Sequence, residues 1–127
     1  MSESAYAPFV PARRPGKRPA YKPRYRVLVH RRFRDLWDSL VERVGLQNAQ
    51  QFYDHVAQRP GSPPDVGASV IFRGEKGRPI GPGFSNTVHY EITGAGRINY
   101  QFNDYYQGPK GDLHPVVVIL TIDLGSH

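Results

Sequence analysis

In the stretch GRINYQF, residues 96–102, Arg97, Asn99 and Gln101 alternate with Ile98, Tyr100 and Phe102. The period of two in a β-strand predicts that the second set faces a core and the first set lines the opposite surface. The preceding run TVHYEIT, residues 87–93, has the same alternation, with Val88, Tyr90 and Ile92 on one side and His89, Glu91 and Thr93 on the other. Gly94-Ala95-Gly96 between them is a glycine-flanked turn of hairpin length, so the two polar faces merge. The last apolar run adds Thr121, Asp123, Gly125 and His127 in one phase. The spacing therefore predicts one open sheet face carrying His89, Glu91, Arg97, Asn99 and His127. Phosphodiester cleavage needs a base for the nucleophile's proton, a cation against charge growing on phosphorus, and an acid for the leaving oxygen. Glu or His supplies the base, Arg the clamp and His the acid. The same pattern also describes an ordinary solvated sheet stabilised by a Glu–Arg cross-strand pair.

The elements that must position these residues are readable from periodicity. YRVLVH (25–30) reads as a strand. RRFRDLWDSLVERVG follows, with Phe33, Leu36, Trp37, Leu40, Val41 and Val44 at amphipathic-helix spacing and Gly45 closing the helix. That spacing places Trp37 in the core. LQNAQQFYDHVAQRP is a second helical pattern, ended by Pro60 and the turn beyond it. SVIFRG (69–74) is a short extended run, EKGRPIGPGFSN (75–86) a Gly/Pro-rich loop, and NDYYQGPKGDLHP (103–115) a further loop. VVVILTIDLGSH reads as a central strand covered on both faces. The expected fold class is α+β, ordered β-α-α-β-β-β, with a helical hairpin on one face of a small antiparallel-rich sheet.

The chain of 127 residues is long enough for one self-supporting domain, and with no cysteine it has neither disulfides nor thiolate chemistry. No apolar run reaches membrane-spanning length and no signal-peptide pattern opens the chain, so the expectation is a soluble cytoplasmic protein without a membrane partner. Of the net charge of +6, most belongs to residues 1–24, where six Arg/Lys face one Glu. Five prolines in that segment predict an extended or disordered basic arm, with the domain itself spanning 25–127. Such an arm is a passive tail or a polycation that lies along nucleic-acid phosphates. In the Gly-rich loop, Arg73, Lys76 and Arg78 are candidate phosphate contacts, as are His89 and Asn99 on the sheet. The loop lacks the Lys-Ser/Thr and helix of a nucleotide P-loop. His30 and His55 read as surface or capping groups, and no His/Asp/Glu spacing predicts a metal site or another cofactor.

The pattern YEITGAGRINYQF, then a loop, then VVVILTIDLGSH, resembles the C-terminal half of RelE/YoeB-type toxins of the RelE/ParE superfamily. Arg97-Ile98-Asn99-Tyr100 matches that family's hairpin, and IFRG (71–74) resembles the Leu-(Lys/Arg)-Gly that precedes it. The resemblance covers residues 25–127 and rests on pattern. It implies a toxin of a type II toxin–antitoxin pair that enters the ribosomal A site and cuts mRNA. There the RNA's own 2′-OH attacks phosphorus, leaving a 2′,3′-cyclic phosphate and a 5′-OH. It further implies a cognate antitoxin, with ribosome and mRNA as the other partners and no metal. On this resemblance Arg97 stabilises the phosphorane, His127 is the general acid, and Arg73 falls on the family's Arg/Lys.

The departures concern the base. RelE-type members place two lysines on the first hairpin strand, where this chain has Glu91 and Thr93. YoeB-type members take a glutamate from the preceding segment, where this chain has Ser69 and Val70. Either Glu91, or in its place His89 or Glu75, is the base, or catalysis leans on stabilisation by Arg97. Two rivals stand beside the ribonuclease: a ParE-like toxin acting on DNA gyrase, and a non-catalytic RNA- or protein-binding module.

Overall fold

A computed structural model of the chain describes residues 8–16, 22–64, 68–107 and 113–125. It is an α+β fold in which three helices accompany a six-stranded mixed sheet. The strands are β1 (Phe9–Pro11), β2 (Arg26–His30), β3 (Ala68–Ile71), β4 (Val88–Glu91), β5 (Arg97–Gln107) and β6 (Leu113–Asp123). The helices are α1 (Arg34–Asp38), α2 (Leu40–Val44) and α3 (Leu46–Gln58). Sheet order is β1-β2-β6-β5-β4-β3, and β2 with β6 is its one parallel pairing. Among the described residues, no helix is long and apolar enough to cross a membrane.

The helical stretch 31–44 is interrupted. The Ser39 hydroxyl donates to the carbonyls of Asp35 and Leu36, and this local bonding separates α1 from α2. Gly45 then turns the chain into α3 at φ +89°, a conformation that strains any residue with a Cβ. The apolar faces meet the sheet in one core that includes Trp37, Leu40, Phe52 and Val56 from the helices and Val29, Ile98, Tyr100 and Ile119 from the strands. Trp37 lies in that core, as its spacing predicts, and its indole N–H donates to the Arg13 carbonyl at 2.9 Å. Val116–Ile119 is buried throughout, as expected of a strand covered on both faces.

Part of the N-terminal arm belongs to the domain. β1 pairs antiparallel with β2, and Ala12, at 5% exposure, joins the core. Arg14 makes two 2.8 Å bonds to the Asp54 carboxylate on α3. That bonding holds the Arg14 guanidinium charged and raises its pKa. The prolines are accommodated because β1 is an edge strand, where a missing N–H leaves no ladder bond unmade. The boundary expected at residue 25 therefore gives way to a domain that includes residues 8–16.

Two further expectations change and a third holds. The loop expected at 103–115 is largely strand, since β5 and β6 stay paired out to Gln107 opposite Leu113. His55 is buried in α3 against the Tyr90 ring, with centroids 5.8 Å apart, and is not a surface group. His30 does act as a cap, its Nδ1 accepting from the Arg32 amide at 3.1 Å.

Candidate active site

The register of β4, β5 and β6 assembles the polar face. Glu91 stands opposite Arg97 and His89 opposite Asn99 across one pairing, while Arg97 faces Asp123 and Asn99 faces Thr121 across the next. Ile98 and Ile122, one residue away on each strand, point into the core and anchor this register. A β-bulge follows Asn99, so that Tyr100 pairs with Ile119 and Leu120 is passed over. Beyond the bulge the outward face of β6 changes from Thr121 and Asp123 to Val116 and Val118. The polar cluster thus occupies one end of the sheet face only.

Arg97 is held in place by its own hairpin. One terminal nitrogen donates to the carbonyls of Thr93, Gly94 and Gly96 at 3.0, 3.2 and 2.9 Å. The other lies 3.5 Å from a Glu91 carboxylate oxygen. The turn is closed by the Ile92 amide on the Gly96 carbonyl and the Gly96 amide on the Thr93 hydroxyl. Asp123, directly opposite Arg97, accepts the Gly125 amide at 3.0 Å. Acidic residues therefore pair with Arg97 on both neighbouring strands, and of the two it is the Glu91 carboxylate that lies within ion-pair distance of the guanidinium.

His89 is oriented from two sides. Its Nδ1 lies 2.6 Å from the Asn99 Oδ1, a contact in which only the imidazole N–H can donate. In the tautomer with its proton on Nδ1, a neutral ring has its lone pair on Nε2. Phe72 stacks on the imidazole with centroids 4.9 Å apart and planes at 25°. That stacking brings the start of the Gly-rich loop, Arg73 onward, to the border of the cluster.

The loop is tied down at several points. The Phe72 amide donates to the Thr87 carbonyl and the Thr87 amide to Gly77, each within 2.9 Å. Gln101, at 0% exposure, accepts the Ile80 amide and donates to the Arg78 carbonyl and the Thr87 hydroxyl. Gln101 is a bracket for the loop, not a solvated surface group. Arg73, Lys76 and Arg78 all remain exposed on it.

Of the residues chosen from sequence, Glu91, Arg97, His89 and Asn99 come together on one face. Arg73, Lys76 and Arg78 form a separate exposed rim, and His127 lies outside the described residues. Sequence reasoning missed Phe72 as the stacking partner of His89. Its adjacency follows from the β3–β4 pairing, and periodicity carries no signal for it. A cavity of about 350 Å³ lies elsewhere, between α3 (Gln51, Asp54, His55, Gln58) and Tyr90. Tyr90 points away from His89 and Glu91, so that cavity is on the helix side of the sheet; burial pushes its phenol pKa up. Compared with known proteins, the chain matches no family model, no curated protein and no solved structure.

Proposed function

We propose that the protein is an endoribonuclease, the toxin of a type II toxin–antitoxin pair, which cleaves mRNA in the ribosomal A site without a metal. The observation that supports it most is the pair of oriented groups on one open face: His89, set by Asn99 and Phe72, beside Arg97, set by the hairpin carbonyls and Glu91. The sequence resemblance of the hairpin supplies the reaction class. His89 Nε2 takes the proton of the ribose 2′-OH, whose oxygen attacks the adjacent phosphorus. Arg97 stabilises the charge on the phosphorane oxygens. The bond from phosphorus to the 5′-oxygen breaks, and His127, read from sequence as the acid, protonates that oxygen. The products are a 2′,3′-cyclic phosphate and a 5′-OH. Glu91, read from sequence as the base, serves in this scheme to hold the guanidinium. Arg73, Lys76 and Arg78 bind flanking phosphates. A cognate antitoxin silences the enzyme.

One observation favours a non-catalytic reading: Arg97 already has three carbonyl acceptors and a carboxylate, a pattern that also suits a purely structural arginine. Induced expression separates the two. Arg97→Ala and His127→Ala should each relieve growth arrest, and purified Arg97→Ala should cleave about 10²–10³-fold more slowly. The ends of cut mRNA should carry a cyclic phosphate. Full toxicity in both variants would remove the proposed site, and DNA breaks without mRNA cuts would point to gyrase instead.

A further inference from the structure

The sheet face opposite the helices carries a second apolar patch that is not part of the main core. Leu28, Val116 and Val118 form its floor, and Phe9, Ile80, Phe84 and Tyr106 surround a groove of about 180 Å³. Three of the four residues surrounding it are aromatic. Phe84 meets Tyr106 edge-on with centroids 6.1 Å apart, and Tyr106 meets His114 at 5.6 Å, so the rings continue as a row along the face. The row is only partly buried, and Ile80 is 49% exposed.

One cation adjoins the row of rings beside this groove, and others lie close to its lining in sequence. The exposed Arg26, whose guanidinium lies 3.4 Å from His114 Nε2, occupies the β2 side. Arg78 is two residues from Ile80 in the loop, and Lys76 and Arg73 precede it, with Glu75 as the acid among them. Asp104, two residues before Tyr106, is engaged by the Tyr25 hydroxyl. The volume is below the roughly 300–1,000 Å³ of drug-sized pockets and suits one planar ring system, not a row of side chains from a docked helix. Aromatic walls and a cationic rim are what an unstacked base with its phosphates outside requires.

We propose that this groove is a nucleobase pocket for single-stranded RNA, in which a base stacks on Phe84 and Tyr106. Its ligand class rests on the ribonuclease reading. Val118 is three residues from Thr121 on β6, so the groove begins about 10 Å from the His89–Arg97 cluster by strand rise. A short stretch of single strand bridges that gap, and the pocket fixes which nucleotides present their phosphate to Arg97. Gln101 links the two regions, since it ties Arg78 and Ile80 to β5.

The test uses the full chain and a 2′-O-methyl oligonucleotide, which cannot be cut by 2′-OH attack, followed by fluorescence anisotropy. Phe84→Ala and Tyr106→Leu should each weaken binding about 5- to 100-fold, the range of a lost base stack. The slope of affinity against salt should stay unchanged in both, whereas Arg78→Ala should make it shallower by about one. Phe84→Tyr and Tyr106→Phe keep the ring and should bind like the parent, which separates lost stacking from lost folding. Affinities of Phe84→Ala and Tyr106→Leu within twofold of the parent would overturn the pocket. So would an equal loss toward an abasic oligonucleotide, or no binding by the parent chain. Cleavage of unmodified mRNA on programmed ribosomes, where the proposed reaction takes place, is scored in parallel. Base-dependent binding without cleavage sinks the ribonuclease reading and keeps the pocket, while cleavage without base-dependent binding does the reverse.

Discussion

Replacing Gln101 with leucine tests how the loop is held against the sheet. The side chain is fully buried, and its amide makes three hydrogen bonds, to the Ile80 amide at 2.9 Å, the Arg78 carbonyl at 2.8 Å and the Thr87 hydroxyl at 3.0 Å. Leucine of similar size removes all three and leaves no large cavity. At about 1 kcal/mol net for each bond the loss approaches ~3 kcal/mol. The Ile80 and Arg78 groups sit in an exposed loop that water can reach once it lifts, and the leucine gains some burial. The expected destabilisation is therefore about 2–3 kcal/mol, or roughly 10 °C in melting temperature for a domain of this size. Urea unfolding measures the first, and amide exchange at Ile80 reports the loop directly. Thr87→Val, which removes one of the three bonds, should cost about 1 kcal/mol. A Gln101→Leu loss below about 0.5 kcal/mol with Ile80 still protected would refute the bracket.

Two glycines separate steric from conformational cost. Gly45→Ala adds a Cβ with nothing within 4 Å at φ +89°, so strain alone should destabilise by about 1–2 kcal/mol in urea melts. Gly77→Ala would drive its Cβ into the Phe72 carbonyl oxygen, so the loop must shift; the loss should exceed that of Gly45→Ala and disturb the Phe72–His89 stacking, which changes in the His89 ring shifts by NMR would report. Alkaline stability should depend on Tyr25. Burial and then the hydrogen bond to Asp104 push its phenol up to about 12. The folded state thus keeps a proton that the unfolded chain releases near pH 10. The stabilisation is present below about pH 10 and falls away between there and about 12, as phenolate absorbance and unfolding curves should show. Tyr25→Phe should flatten that alkaline slope; an unchanged slope would mean that Tyr25 does not contribute to it.

Much of this protein is written in local pattern. Alternation in TVHYEIT and GRINYQF places Ile98 and Tyr100 inside and Arg97 and Asn99 outside, because side chains in a strand must alternate and burial selects the phase. Helical spacing marks Trp37 and Phe52 as core, and the unbroken apolar run Val116–Ile119 marks a central strand. The same alternation is enough to bring Glu91, Arg97, His89 and Asn99 to one face.

What periodicity does not contain is what lies against each face. Gln101 shares its phase with Arg97, yet it is fully buried because a loop distant in sequence closes over it. Residues 8–16 look like an unfolded arm by composition, and an open edge of β2 together with Asp54 gives them partners. The bulge after Asn99 turns the outward face of β6 from polar to apolar, which separates the His89–Arg97 cluster from the groove beside Tyr106. Each of these depends on contacts between segments far apart in the chain, whose energies no local window of sequence records. The alternation of residue types therefore chose the face that carries the chemistry, and tertiary packing decided which of its polar groups remain open.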